Sequence, residues 1–282
     1  MNNGKKNNFF FHIGAISPVL ETELELIKTR IKKSERVNFV YCIGKINSCY
    51  WNKNKFKPYC KVCRSKFTNG INLLKLNDKI NLIPLDVQPI DLKKLSFNCN
   101  FSNIDQVKNI IYDNVPLGRG IASSIVSLLD DYKPDLKSNR QLLNNILISA
   151  IQIYEFGKKI IKKNSPNKFY IFNGRISETW ALICLAKKYN INYFTYEVAN
   201  AKKNTYLLLK NTTTHINEHE EIKPPKNFIN KNINEKISLA TKFIFKKKKF
   251  FKKISNKNYS LNFKKNMLPR SLDLKKRNII IF

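Results

Sequence analysis

The sequence predicts an α/β fold: a Rossmann-like, doubly wound and mostly parallel sheet, followed by a basic, partly helical C-terminal connector. Three observations carry that reading. Short apolar runs of strand length alternate with longer segments of helical periodicity. The runs are rich in aromatic and β-branched residues. The stretches between them are long enough for the helical crossovers that parallel strands require.

The first run is NNFFFHIG (7–14), and SPVLETELELIKTRIKK (17–33) follows it. Ser17 is placed to cap, Pro18 suits the first helical position, and Leu20, Leu24, Ile27 and Ile31 recur at helical spacing. RVNFVYCIG (36–44) is a second strand, which completes a strand–helix–strand unit. Residues 45–68 read as irregular and Cys-bearing, and KINLIPLD (79–86) as a third strand. From 102 to 163 the pattern is mostly helical. GRGIASSIVSLLDD begins after Pro116, and NRQLLNNILISAIQIYEFGKKIIKK sets Leu142, Leu143, Ile146, Leu147, Ala150 and Tyr154 on one face.

KFYIFN (168–173) is too short for a helix, so it reads as a strand, and Gly174 supplies a tight turn. A helix from Ser177 to about Tyr189 leads to the strand INYFTYEV (191–198), a length that fits a right-handed parallel crossover. NTYLLLKN (204–211) adds a further strand. Beyond KPPKN (223–227) the chain turns polar, then basic, and stops in KKRNIIIF. The expected organisation is one domain over 1–225, a basic linker over 226–277, and a run at 278–282. That run either pairs back onto the sheet or, the favoured reading, opens a further domain.

A formal net charge of +32 points to a polyanion or an anionic membrane as partner. Heavy use of Lys, Asn and Ile gives a plainer source, AT-rich coding sequence. The charge is also uneven: residues 242–277 carry 12 Lys and 2 Arg against the lone acid Asp273. Within it, FIFKKKKFFKKI (243–254) interleaves aromatics with lysines, suited to an anionic membrane surface, a nucleic-acid backbone, or packing as an interdomain helix. No apolar run approaches the ~20 residues needed to span a bilayer. The N-terminus lacks a convincing signal-peptide pattern, so a cytoplasmic location is expected.

In open parallel sheets ligands bind beyond the carboxyl ends of the strands. Asn173, Arg175 and Glu197 all fall at such ends. Arg175 offers a donor fork for phosphate or carboxylate, Asn173 donates and accepts, and Glu197 suits sugar hydroxyls or general-base work. The helix after Gly174 aims its first N–H groups at the same place, which favours an anion. Alternatively, Arg175 pairs with Glu197 or with Glu178 in a surface ion pair.

The cysteines spell Cys42-x6-Cys49-x10-Cys60-x2-Cys63. Cys60-x2-Cys63 is a fair half-site for structural zinc, whereas Cys42-x6-Cys49 is a poor match, and free thiols as small apolar side chains compete with it. With no His in the cluster, catalytic zinc is not expected. VPLGRGIASS (115–124) sets Gly118 and Arg119 at a turn before a helix, without the full dinucleotide spacing, and no Walker motif occurs. HINEH (215–219) sets two His at i and i+4 but lacks the zincin order; it reads as a solvated loop, with His215 near the cleft as the alternative.

With those residues placed, the chain resembles the N-terminal half of the capsular-polysaccharide-biosynthesis type glycosyltransferases of the two-domain GT-B fold. The matching stretches are FNGRISETWALICLAKKYNINYFTYEVAN (172–200), NTYLLLKN (204–211), DNVPLGRGIASSIVSLL (113–129) and the cysteine pattern from Cys42 to Cys63. Family members likewise carry Asn-Gly-Arg after a strand and a Glu at the end of the next. The resemblance implies Asn173, Gly174, Arg175 and Glu197 as cleft residues, with Gly118 and Arg119 at a turn near the same cleft. Two departures stand out: CIG (42–44) lacks the expected Asp, and YEVAN lacks the Gly that often follows the Glu.

The resemblance further implies metal-independent transfer from a nucleotide sugar to a glycan or lipid-linked acceptor at the inner face of the plasma membrane, with the donor held mainly by a C-terminal domain. This chain would then be the acceptor-side part, with little catalysis by itself. Two other readings are a zinc-stabilised basic nucleic-acid-binding protein and a noncatalytic remnant that binds glycans or a partner enzyme. The concentration of charge after residue 240, away from the cysteines, counts against the former.

Overall fold

The structure, a computed structural model, describes residues 6–14, 17–95, 99–198, 206–213, 232–235, 237–239 and 241. His215, the basic segment 242–277 and the run 278–282 lie outside the described residues. The chain divides into two units, Met1–Glu221 and Ile222–Phe282. In the second, Asn232 and Glu235 form a reciprocal cap. The Asn232 side chain accepts from the Glu235 N–H at 3.0 Å, and the Glu235 carboxylate accepts from the Asn232 N–H at 3.1 Å.

Within the first unit the strands β1 (Asn7–His12), β2 (Arg36–Cys42), β3 (Asn81–Leu85), β4 (Lys168–Phe172), β5 (Asn192–Val198) and β6 (Tyr206–Lys210) form one sheet. Their spatial order is β3-β2-β1-β4-β5-β6. All pairings are parallel except β5 with β6. The chain thus winds outward from β1 to β3, returns, and winds the other way through β4 and β5. The reversal sets a topological switch point between β1 and β4, where such sheets open a crevice at their carboxyl edge.

Helices α1 (Val19–Lys32) and α2 (Lys57–Leu73) cover one face; α3 (Ile104–Lys108), α4 (Gly118–Leu129), α5 (Arg140–Asn164) and α6 (Ser177–Lys188) cover the other. Burial of β1, β2 and β4 on both faces explains why they read as apolar runs rather than as alternations, whereas the edge strands β3 and β6 are largely exposed. Phe10, Tyr170 and Tyr196 point toward α1 and α2, whereas Phe9, Phe11 and Ile171 point toward the α4–α6 side. Phe10 stacks on Tyr170 with ring centroids 4.3 Å apart, which ties β1 to β4 at the switch point.

Two local expectations are corrected. The stretch 45–68 is not irregular throughout, because α2 begins at Lys57 with Pro58 in its first turn. Its inward face is narrow, with only Phe67 and Ile71 fully buried, so the periodicity is faint in the sequence. Ser17 does not cap α1. Pro18 occupies the N-cap position, and the Ser17 hydroxyl donates to Glu21 instead, at 2.6 Å.

Gly118, which starts α4, is fixed by close approach of backbone. A Cβ there would lie 2.1 Å from the Val107 carbonyl oxygen and 2.6 Å from that of Lys108. Backbone atoms cannot swing aside, so Gly118→Ala is expected to cost at least about 2 kcal/mol in a urea melt. A loss within error would show that α3 and α4 do not meet this closely.

Candidate functional site

Residues at the carboxyl ends of β1, β2, β4 and β5 build the candidate site. After β4, Asn173 adopts a left-handed conformation (φ +58°) and Gly174 follows at φ +82°. A Cβ on Gly174 would come within 2.5 Å of Ile183, so the turn requires glycine. Asn173 does the work of a bracket. Its Oδ1 accepts from the Arg175 N–H at 3.0 Å, and its Nδ2 donates to the Glu197 carboxylate. Strand alternation sets Asn173 and Glu197 on one face of the sheet and Tyr196 on the other. The structure therefore brings Asn173, Arg175 and Glu197 together at one rim, with the Arg175 side chain exposed and Glu197 half-buried.

Glu178 does not take Arg175. It is buried at the start of α6, where its carboxyl accepts from the Tyr50 N–H at 2.8 Å and the Ser177 hydroxyl at 2.7 Å. Burial pushes its pKa up, opposed by those hydrogen bonds. The expectation that α6 offers its first N–H groups to an external anion is also corrected. The Ser177 N–H donates to Ser124 Oγ at 2.8 Å, and the Glu178 side chain supplies an acidic group from inside.

By holding Tyr50, Glu178 anchors the loop after β2, which lays Trp51 across the switch point. The Trp51 indole covers Gly14 so closely that a Cβ there would stand 2.1 Å from its Cδ1, and it sits 6.1 Å from the Phe172 ring. Phe172 packs on the α1–α2 side with Tyr196, ring centroids 5.7 Å apart, so it stands on the opposite face of the sheet from Asn173 and Glu197.

On the opposite face a second group of residues is sealed at the ends of β1 and β5. His12 Nδ1 and Glu23 share a hydrogen bond, and the Tyr196 hydroxyl donates to the other Glu23 oxygen. All three are at most 2% exposed. Burial lowers the His12 pKa, but Glu23 and Cys63 together outweigh it, and the value is pushed up to about 9. Tyr196 is held well above its ordinary value, first by burial and then by Glu23.

The four clustered cysteines border one cavity at the ends of β1 and β2, with Gly14 and Tyr59 in its wall. Burial raises Cys42 to about 11 and Cys49 well above its ordinary value. Among the described residues no three His, Cys, Asp or Glu side chains stand together so as to hold a metal ion. The structure thus gathers Cys42, Cys49, Cys60 and Cys63 around a hollow rather than around a point.

Gly118 and Arg119 do not join this rim. Arg119 borders a separate cavity with Lys187 and Lys188, the last residues of α6, whereas the rim adjoins the first. That cavity runs along α6 from Trp180 to Lys188 and includes none of Asn173, Arg175 and Glu197. Lys188 there pairs with Asp113 at 2.9 Å, which together with Lys158 keeps that carboxyl well below the usual range.

Sequence reasoning missed His12, Glu23, Tyr50, Trp51 and Tyr196, and took Glu178 only as a partner for Arg175. Glu23 carried a signal: it lies three residues after Leu20 and four before Ile27, on the buried stripe of α1.

No protein-family model matches the chain, and no curated protein is similar to it in sequence. Among solved structures, a CDPS from Fluoribacter dumoffii is similar at 9% identity, covering 72% of this chain and 90% of that one, with a TM-score of 0.39. So slight a likeness carries no argument. Among the described residues no helix is long and apolar enough to cross a membrane.

Proposed function

We propose that the chain is the N-terminal, acceptor-side part of a GT-B glycosyltransferase of the capsular-polysaccharide kind. The whole enzyme moves a sugar from a nucleotide donor to a glycan or lipid-linked acceptor at the cytoplasmic membrane face. The observation that carries the reading is the rim itself. Asn173 holds the Glu197 carboxylate and the Arg175 backbone at adjacent strand ends.

In this reading Glu197 takes the proton from the attacking acceptor hydroxyl as the glycosyl–phosphate bond breaks. Arg175 positions acceptor groups or the departing phosphate, and Asn173 orients Glu197.

The complete gene product, given a panel of nucleotide sugars and polyprenyl-linked or free glycan acceptors, is expected to release nucleotide and extend an acceptor. The rival reading is a basic nucleic-acid binder. Absence of transfer, with duplex DNA binding that falls at a log–log salt slope of roughly −0.9 per phosphate contacted, would overturn the proposal in its favour.

A further inference from the structure

Helix α2 is barely covered by the rest of the domain. Of its 17 residues only Phe67 and Ile71 are fully buried. Its outer side carries apolar side chains in the open: Phe56 at the N-cap is 63% exposed, Tyr59 40%, Val62 55% and Leu73 82%. At about 100° per residue, Tyr59, Val62 and Leu73 fall within about 60° of one another around the helix axis, with Lys66 among them. They form one stripe roughly 20 Å long, and Phe56 stands about one turn before Tyr59. A single exposed apolar residue needs no explanation, but four along one helix do.

Cations surround the stripe. Lys53, Lys55, Lys57, Lys61, Arg64 and Lys66 are all exposed. None of them stands in an ion pair among the described residues. No Asp or Glu occurs between Glu35 and Asp78, so α2 and the loop leading into it carry positive charge alone.

We propose that the outer side of α2 is a membrane contact. The helix lies along an anionic bilayer surface, with its apolar stripe sunk among the headgroups and its cations against the lipid phosphates. Because α2 enters from the loop after β2, Phe56 and Tyr59 stand at the carboxyl edge of the sheet. Two other occupants fit less well. A second copy docking through the same face would set one acid-free basic helix against another, and like charges repel. A nucleic-acid backbone matches the lysines but leaves Val62 and Leu73 without an apolar partner, whereas a bilayer surface takes both groups at once. The contact is separate from the basic segment 242–277 and independent of the sugar-transfer reading.

The test uses the full chain and unilamellar phosphatidylcholine vesicles, with and without about one-third phosphatidylglycerol. Co-sedimentation is expected only with the anionic vesicles, and to weaken as salt rises. Phe56→Ser combined with Val62→Ser, at two exposed positions, is expected to raise the apparent Kd at least about tenfold at an unchanged melting temperature. The lysines of 242–277 are intact in that variant, so binding through them alone would leave the Kd where it was and overturn the proposal. Phe56→Trp is expected to give fluorescence that bromine-labelled lipid quenches beyond the wild-type signal of Trp51 and Trp180. Quenching no greater than in the wild type would overturn the proposal as well. So would a lower melting temperature in the paired variant, which would show the stripe covered within the chain. A homodimer, or a complex with duplex DNA, that the paired variant abolishes would give the face to another occupant.

Discussion

On the proposed sugar transfer, Arg175→Ala or Glu197→Gln in the full-length protein is expected to lower transfer by at least about a hundredfold while leaving the thermal melt in place. The two changes act differently. Arg175 is exposed, so truncating it leaves no buried group unpaired, and its loss falls on donor or acceptor binding. Glutamine at 197 keeps an acceptor for the Asn173 amide but cannot accept the proton of an attacking hydroxyl, so its loss falls on kcat. Asn173→Ala, which releases both neighbours, is expected to combine the two effects. Steady-state kinetics that leave kcat/KM unchanged in either single variant would remove the chemical role of the rim.

The second large effect is on stability. Glu23→Ala is expected to destabilise the fold by roughly 3–5 kcal/mol, because it strands a buried imidazolium and the Tyr196 hydroxyl at once. The same network makes stability depend on pH with a definite sign. The native pKa of His12, about 9, lies above its ordinary 6.5. Its stabilisation is therefore complete below 6.5 and is lost as pH rises through about 9. Urea melts of the wild type are expected to weaken between neutral and alkaline pH, and the Glu23 variant to lose much of that dependence. A loss of under about 1 kcal/mol on removing Glu23 would mean that the pair is hydrated rather than sealed.

The strands were legible because parallel sheets buried on both faces write themselves as apolar runs, and 168–173 and 191–198 fell where expected. The rim was legible for the same reason: a polar residue ending such a run has nowhere to go but the carboxyl edge. The rest depended on partners distant in sequence. Tyr196 lies 173 positions from Glu23, and Glu178 lies 128 positions from Tyr50, so no local pattern announces either bond. Arg119 was drawn toward the cleft by a glycine turn. The turn exists to let α4 approach α3, a packing demand that looks like a loop motif when only spacing is visible.

The claim on which the sugar-transfer account depends is that a saccharide rests on the rim made by Asn173, Arg175 and Glu197. Saturation-transfer NMR between short glycan fragments and the 282-residue chain measures this directly. Magnetisation is expected to reach the sugar protons with the wild type, and to vanish with Arg175→Ala at an unchanged melting temperature. Transfer of equal strength in that variant and in Glu197→Gln would place the sugar away from the rim, and no transfer with the wild type would contradict the account equally.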